Sequence, residues 1–412
     1  MGTRRFSHSV IRGLAQLAAV AMLVGAVRPS ATTVIYSFSG GVDGEYPSTE
    51  LILDSAGNLY GTSVLGGQFG SGTVFQLTPS GTHTVLYSFT SGADGAQPYG
   101  GVTLDPQGNL YGSAVAGGSF GGSCVEDGCG VVYKLTPSTD GWTQTVIHTF
   151  TGGGDGSGPG GGLTIDKHGN LYGMTPTGGA YGVGVIYQLS PDHGGNYVLR
   201  VIHTFTGGRD GGTASAGRLL LDDAGNLFGV ATVGGAHGKG TAFELTQAPG
   251  GKWKLTTLYA FEGQPDAGFP YGGLIFDASG NLYGTTYYDG ANGLGSVYQL
   301  ARNPAGGWKE RVLYSFAGGN DGSFSISTLV FDRAGNLYGT TSEGGYPGLG
   351  TIFKLAHGGP GMWTESVAYA FTGVPDGAYA YNGMVGDSAG NFYGTTVHGG
   401  SGDDGTIYRF TP

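Results

Sequence analysis

A ten-residue phrase, Asp332-Arg333-Ala334-Gly335-Asn336-Leu337-Tyr338-Gly339-Thr340-Thr341, recurs seven times along the chain with small changes. Self-similarity at a near-constant period decides architecture before any single motif does. The Gly-Asn pairs begin at Gly57, Gly108, Gly169, Gly225, Gly280, Gly335 and Gly390, and the last three intervals are each 55 residues. Each unit reads as four short strands. In the fifth unit strand A spans 273–277, strand B 281–286, strand C 295–300 and strand D 311–316. All are rich in β-branched and aromatic residues and bounded by Gly, Pro, Asn or Asp. None carries the helical period.

A four-stranded unit repeated seven times predicts an all-β fold, a seven-bladed β-propeller of four-stranded blades. A linear array would need capping repeats at its ends. This chain carries a closure device instead. Its last unit supplies strands A, B and C from 383 to 410 and lacks D, while Thr33-Val34-Ile35-Tyr36-Ser37-Phe38 matches the D strand Thr84-Val85-Leu86-Tyr87-Ser88-Phe89 nearly residue for residue. The N-terminal strand is therefore expected to complete the last blade.

Within the phrase, Asp-x-x-Gly-Asn joins strand A to strand B in a tight hairpin. The Gly supplies a positive φ, and the Asp carboxylate accepts N–H bonds across the turn. The acids are Asp54, Asp105, Asp166, Asp222, Asp277, Asp332 and Asp387. A role repeated once per blade reads as structural rather than as a metal ladder.

The 88 glycines follow no Gly-X-Y triplet, and the aromatic content argues against disorder. The formal charge of -11 disfavours nucleic acid, which needs a basic face. Residues 1–26 read as a secretory signal peptide, with Arg4, Arg5 and Arg12 ahead of an apolar run and Val24-Gly25-Ala26 for cleavage. The run falls short of the roughly 20 apolar residues that cross a bilayer. Residues 27–32 are then a short linker and 33–412 one propeller domain, expected as a monomer, secreted or held in the periplasm or cell envelope. In such a protein Cys124 and Cys129 are expected to form a local disulfide.

A second acidic set follows each D strand: Asp43, Asp94, Asp155, Asp210, Asp266, Asp321 and Asp376. Asp beside Gly in the D-to-A crossovers closes an Asx-turn, with calcium as the competing reading. No other cofactor is implied.

These motifs together resemble the GloVer tandem-repeat family of exported bacterial proteins. The likeness runs from about Thr33 to Pro412 through Asp-Gly, Asp-x-x-Gly-Asn-Leu-Tyr-Gly-Thr-Thr and Gly-Thr-[Val/Ile]-[Phe/Tyr] elements. The strand phrasing is also similar to NHL-type propellers. The family is defined by its repeat and has no established activity, so the resemblance implies a fold and no catalytic residues.

A site is therefore sought where the repeat breaks, on the face that carries the D-to-A crossovers and B-to-C loops. Three and five places after the crossover Asp come Tyr46, Tyr99, Phe269, Tyr271, Phe324, Tyr379 and Tyr381, confined to blades 5, 6, 7, 1 and 2. Aromatics in polar loops suit stacking on sugar faces, or else pack over their own blades. Strand A opens with Gly in four blades but with Glu50, Arg218 and Thr328 in the others, placing Glu50 and Arg218 across the mouth of the central channel. His237 and His398 are the candidate general acid–base groups of this face. His148 and His203 replace a Tyr of strand D and read as packing. The expected function is binding, with a glycan or other surface polymer as ligand. The alternatives are a propeller lyase or hydrolase with a metal-assisted site on the same face, and a purely structural envelope protein.

Overall fold

The computed structural model describes residues 30–412 apart from 122, 125, 126, 215, 216 and 360. The expected signal peptide and the first half of the linker, 27–29, lie outside the described residues. The described chain forms antiparallel sheets arranged as a seven-bladed propeller. In the fifth blade strand A is Ile275–Phe276, B is Leu282–Asp289, C is Ser296–Arg302 and D is Trp308–Ser315. The register follows the hydrophobic pattern, with Leu282 opposite Leu300 and Ile275 opposite Tyr283. Among the described residues no helix is long and apolar enough to cross a membrane.

Ring closure takes the expected form. Ala31–Ser37 pairs antiparallel with Thr406–Thr411 as the outer strand of blade 7, starting inside the expected linker. Its register shifts between Val34 and Tyr36, as every other D strand shifts at the equivalent point. Such a bulge re-aims the next side chain. Here it brings Tyr36, Tyr87, His148, His203, Tyr259, Tyr314 and Tyr369 onto the crossover carboxylates.

The core lies between blades. The Phe that ends each D strand, Phe38, Phe89, Phe150, Phe205, Phe261, Phe316 and Phe371, is at most 1% exposed. Each meets a ring of strand C in the next blade edge-on, at centroid distances of 4.9–5.6 Å. Such pairs add about 0.5–1.5 kcal/mol beyond the area they bury. The strand C ring in turn lies over the Gly of Leu-Tyr-Gly-Thr-Thr. A Cβ on Gly339 would stand 2.6 Å from Phe353 Cζ, so this position requires a residue without a side chain.

The hairpin of the phrase has the expected geometry. Asp332 Oδ1 accepts from the N–H of Ala334 at 2.9 Å and of Asn336 at 2.8 Å, Oδ2 accepts from Asn336 Nδ2 at 2.7 Å, and Gly335 has φ +82°. Sequence reasoning missed a further donor. The Tyr two residues after Asn returns its hydroxyl to the same carboxylate, as Tyr283 does to Asp277 at 3.0 Å.

One expectation needs correcting. The crossovers are not simple loops, because the inner strand is split in two. Strand A proper is two residues long in six blades and three in blade 2, and a second segment ahead of it pairs with the far end of strand B. In blade 5 that segment is Ala267–Pro270 against residues 286–289, and in blades 1, 2, 3 and 6 it is a single bridge. Near the axis the strands converge, and the Gly and Pro residues between the two segments break the ladder.

Candidate functional site

The split inner strand explains the backbone at the third residue after each crossover Asp. Tyr46, Gln97, Gly158, Thr213, Phe269, Phe324 and Tyr379 have φ between 49° and 65°. Only one is Gly, and this conformation costs another L-residue about 1–2 kcal/mol. It is held from outside. Each N–H donates to a carbonyl of the preceding blade at 2.7–3.1 Å, as Tyr46 does to Asp404 and Phe269 to Lys239. The position staples neighbouring blades, and four of the seven staples are aromatic.

These rings and their neighbours form two groups on one face. In blades 5 and 6, Tyr287 touches Tyr271 at 6.3 Å, Phe324 at 5.2 Å and Tyr288 at 4.5 Å, and Tyr288 continues to Phe269 at 5.8 Å. Lys239 lies 4.7 Å over Phe269 and pairs with Asp289 at 3.1 Å. In blades 7 and 1, Tyr379 stacks on Tyr381 at 6.4 Å, and His398 bridges Tyr379 at 5.7 Å and Tyr46 at 5.0 Å. Tyr46, Tyr99 and Tyr381 then line a hollow of about 280 Å³ with Ser48 and Gln97. Tyr287 and Tyr288 were missed from sequence. Their signal was a departure from the repeat, Tyr-Tyr-Asp where blade 6 reads Ser342-Glu343-Gly344.

Tyr99 also lines the axial cavity, with Tyr271, Glu50 and Arg218. Its open volume is about 30 Å³, room for a water molecule. Arg218 reaches across the axis. Its Nη2 donates to Val102 O at 3.1 Å and Nη1 to Thr103 Oγ1 at 3.4 Å, while Nε is buried without a partner. Arg218 as a residue keeps some exposure, yet its guanidinium is the deeply placed part. Burial pushes its pKa down and the charge of Glu50 opposes that shift. Burial, and then Tyr99, raises the Tyr271 pKa. The cavity thus joins one cation and one anion to phenol groups and carries no net charge.

The two candidate histidines are separated. His237 stands exposed on blade 4, whereas His398 belongs to the aromatic group of blade 7, with Nδ1 3.2 Å from Asp403 O. The crossover acids act within their own loops. Asp94 accepts from Tyr87 at 2.9 Å, from the Thr90 N–H at 2.8 Å and from the Thr90 hydroxyl at 2.5 Å. His148 and His203 take the place of that Tyr, 3.3 and 3.1 Å from Asp155 and Asp210. Among the described residues no group of three or more His, Cys, Asp or Glu is arranged to hold a metal. Cys124 and Cys129 are joined in a disulfide, both buried against Phe150 and its neighbours.

Fold and site together define a closed seven-bladed propeller of tandem repeats with an aromatic face around an axial cavity lined by Glu50 and Arg218. The chain belongs to the Gloeobacter/Verrucomicrobia repeat family, whose pattern matches residues 24–125, 121–316 and 254–412. No curated protein matches the sequence. Among solved structures it is similar to an ancestral GH74 enzyme, at 10% identity and a TM-score of 0.52, over 89% of this chain and 47% of that one. It is also similar to the extracellular domain of a protein described as a one-component system from B. thetaiotaomicron, at 9% identity and a TM-score of 0.47, over 87% and 37%. At these identities the likeness concerns the fold, and this chain spans half or less of either protein.

Proposed function

We propose that this is an exported binding protein whose aromatic face takes a neutral glycan. The observation that carries the reading is the hollow between Tyr46, Tyr99 and Tyr381, which opens beside the axial Glu50 and Arg218. Apolar walls with a few convergent polar groups are the usual composition of a small-molecule site. Rings offer flat faces to sugar C–H groups, while Glu50, Ser48 and Gln97 offer acceptors and donors for hydroxyls. The charge balance at the axis and the acidic protein favour an uncharged polymer over an anionic one. The buried disulfide supports an oxidising compartment outside the cytoplasm.

A glycan array screened with residues 27–412 tests this, together with Tyr381→Ala and Tyr271→Ala. Binding to at least one neutral polysaccharide is expected, weakened about tenfold or more by Tyr381→Ala, on the order of 1.4 kcal/mol. Failure to bind any neutral polysaccharide, or undiminished binding by both variants, would defeat the proposal.

A further inference from the structure

The opposite face holds a cleft that the glycan reading does not use. It lies between blades 7 and 1, encloses about 760 Å³, and is lined by Leu53, Pro79, Ser80, Gly81, Tyr393 and Arg409 among others. That volume falls within the roughly 300–1,000 Å³ of small-molecule sites.

The seams differ in whether strand D covers the hairpin aromatic of the preceding blade, and a covered seam, that of Trp253 over Tyr172, also keeps a cleft of about 540 Å³. In five blades strand D begins with a large ring, and that ring covers the hairpin aromatic of the preceding blade. Tyr197 lies 6.1 Å from Tyr111, Trp253 5.9 Å from Tyr172, and Trp363 6.2 Å from Tyr283. Trp142 and Trp308 pack into the clusters that contain Tyr60 and Phe228. Two seams lack such a ring. Blade 7 has Ser30 at this position, two residues before the partner of Phe410, and its seam is filled another way. Phe392 and Phe410 replace the Leu of the other blades there and reach Tyr338 at 5.2 and 5.9 Å. Blade 1 has Gly81, two residues before the partner of Leu77, and keeps ordinary Leu59 and Leu77 beside it. Among the described residues no other ring takes its place. Tyr60, Tyr111, Tyr172, Phe228, Tyr283 and Tyr338 are at most 6% exposed, whereas Tyr393 is only partly buried.

We infer that this seventh seam is a ligand site for a small planar aromatic molecule of indole or phenol size. The five filled seams show what the slot accepts: an indole or phenol ring lying across a Tyr or Phe, between the two hairpin turns. Tyr393 supplies the floor, with its hydroxyl fixed to Asp387 at 3.0 Å. Leu53 and Ile35 supply apolar sides, and Arg409 stands at the rim. A ring entering from solvent would complete the packing that the chain itself supplies elsewhere. The site is on the other face from the glycan surface and independent of it.

The test is a ligand-observed NMR titration with indole and with cyclohexylmethanol, a non-planar control of similar size. Wild type should bind indole saturably and cyclohexylmethanol at least tenfold more weakly. Tyr393→Ala should weaken indole at least tenfold. Ser80→Trp, on an exposed turn that leaves the core untouched, should abolish indole binding and raise the thermal midpoint by filling the slot from within. Absence of saturable indole binding, equal affinity for the two probes, or indole binding undisturbed by Ser80→Trp would overturn the inference. The Ser80 variant decides the matter even where Tyr393→Ala does not fold.

Discussion

Acidification should loosen the seam that closes the ring, and His83 is the group to follow. Its imidazole stacks on Tyr36 of the N-terminal strand at 4.2 Å and 10°, touches Phe75 at 5.2 Å, and buries Nε2 without a hydrogen-bond partner. Burial lowers its pKa to about 4, although the nearby Asp43 works against that shift. The unfolded chain protonates near 6.5, so above that pH the ring is neutral in both states and the contact keeps its full value. As pH falls through 6.5 the unfolded state takes up the proton first, and stability drains until the folded pKa near 4 is passed. At 1.36 kcal/mol per unit the total is roughly 3 kcal/mol, with about 2 kcal/mol of it lost between pH 7 and pH 5.

Two groups at the equivalent strand position act in the opposite sense. Burial, then Asp266, raises Glu310 to about 9, and burial, then Asp321, raises Glu365 to about 7, so protonation favours their folded forms. The measurement must therefore be a difference. His83→Phe keeps the ring and removes the titration. Urea unfolding of both proteins should show the variant gaining about 2 kcal/mol on wild type between pH 7 and pH 5. A gap that stays constant across that range, or an NMR titration with His83 protonating near 6.5, would refute the reasoning.

Two other outcomes are expected. Asp277→Ala removes the acceptor of two N–H groups, the Asn281 amide and the Tyr283 hydroxyl, and should lower the unfolding free energy in urea by about 2 kcal/mol without changing glycan binding. Tyr46→Gly relieves a left-handed backbone at φ 53° and should leave the protein as stable as before or up to about 1 kcal/mol more so, while glycan binding falls. A glycine variant that binds as wild type does would remove Tyr46 from the site.

Much of this was legible because repetition averages out local ambiguity. A single Asp-x-x-Gly-Asn is a turn among many, but seven copies at a near-constant interval fix strand count, blade count and the missing D strand. The aromatic sector was legible too, as a departure from the repeat. The segments ahead of strand A were not, since one to four residues beside Gly and Pro carry no strand signal. Nor was the grouping of Tyr287, Tyr288 and Phe324, which depends on two blades lying side by side.

The sequence by itself thus determined the ring: its blades, its closing strand, and the turn glycine of each Asp-x-x-Gly-Asn hairpin. What only tertiary structure decided are the seams. Whether Tyr393 is covered, whether Arg218 reaches Val102 across the axis, and whether His83 meets Tyr36 all turn on contacts between residues of different blades. The local pattern specifies each blade almost completely, but the fit between blades depends on the sizes of side chains that come from both. Seven nearly equal units therefore leave, among the described residues, the hairpin aromatic Tyr393 only partly covered and an aromatic hollow on the other face.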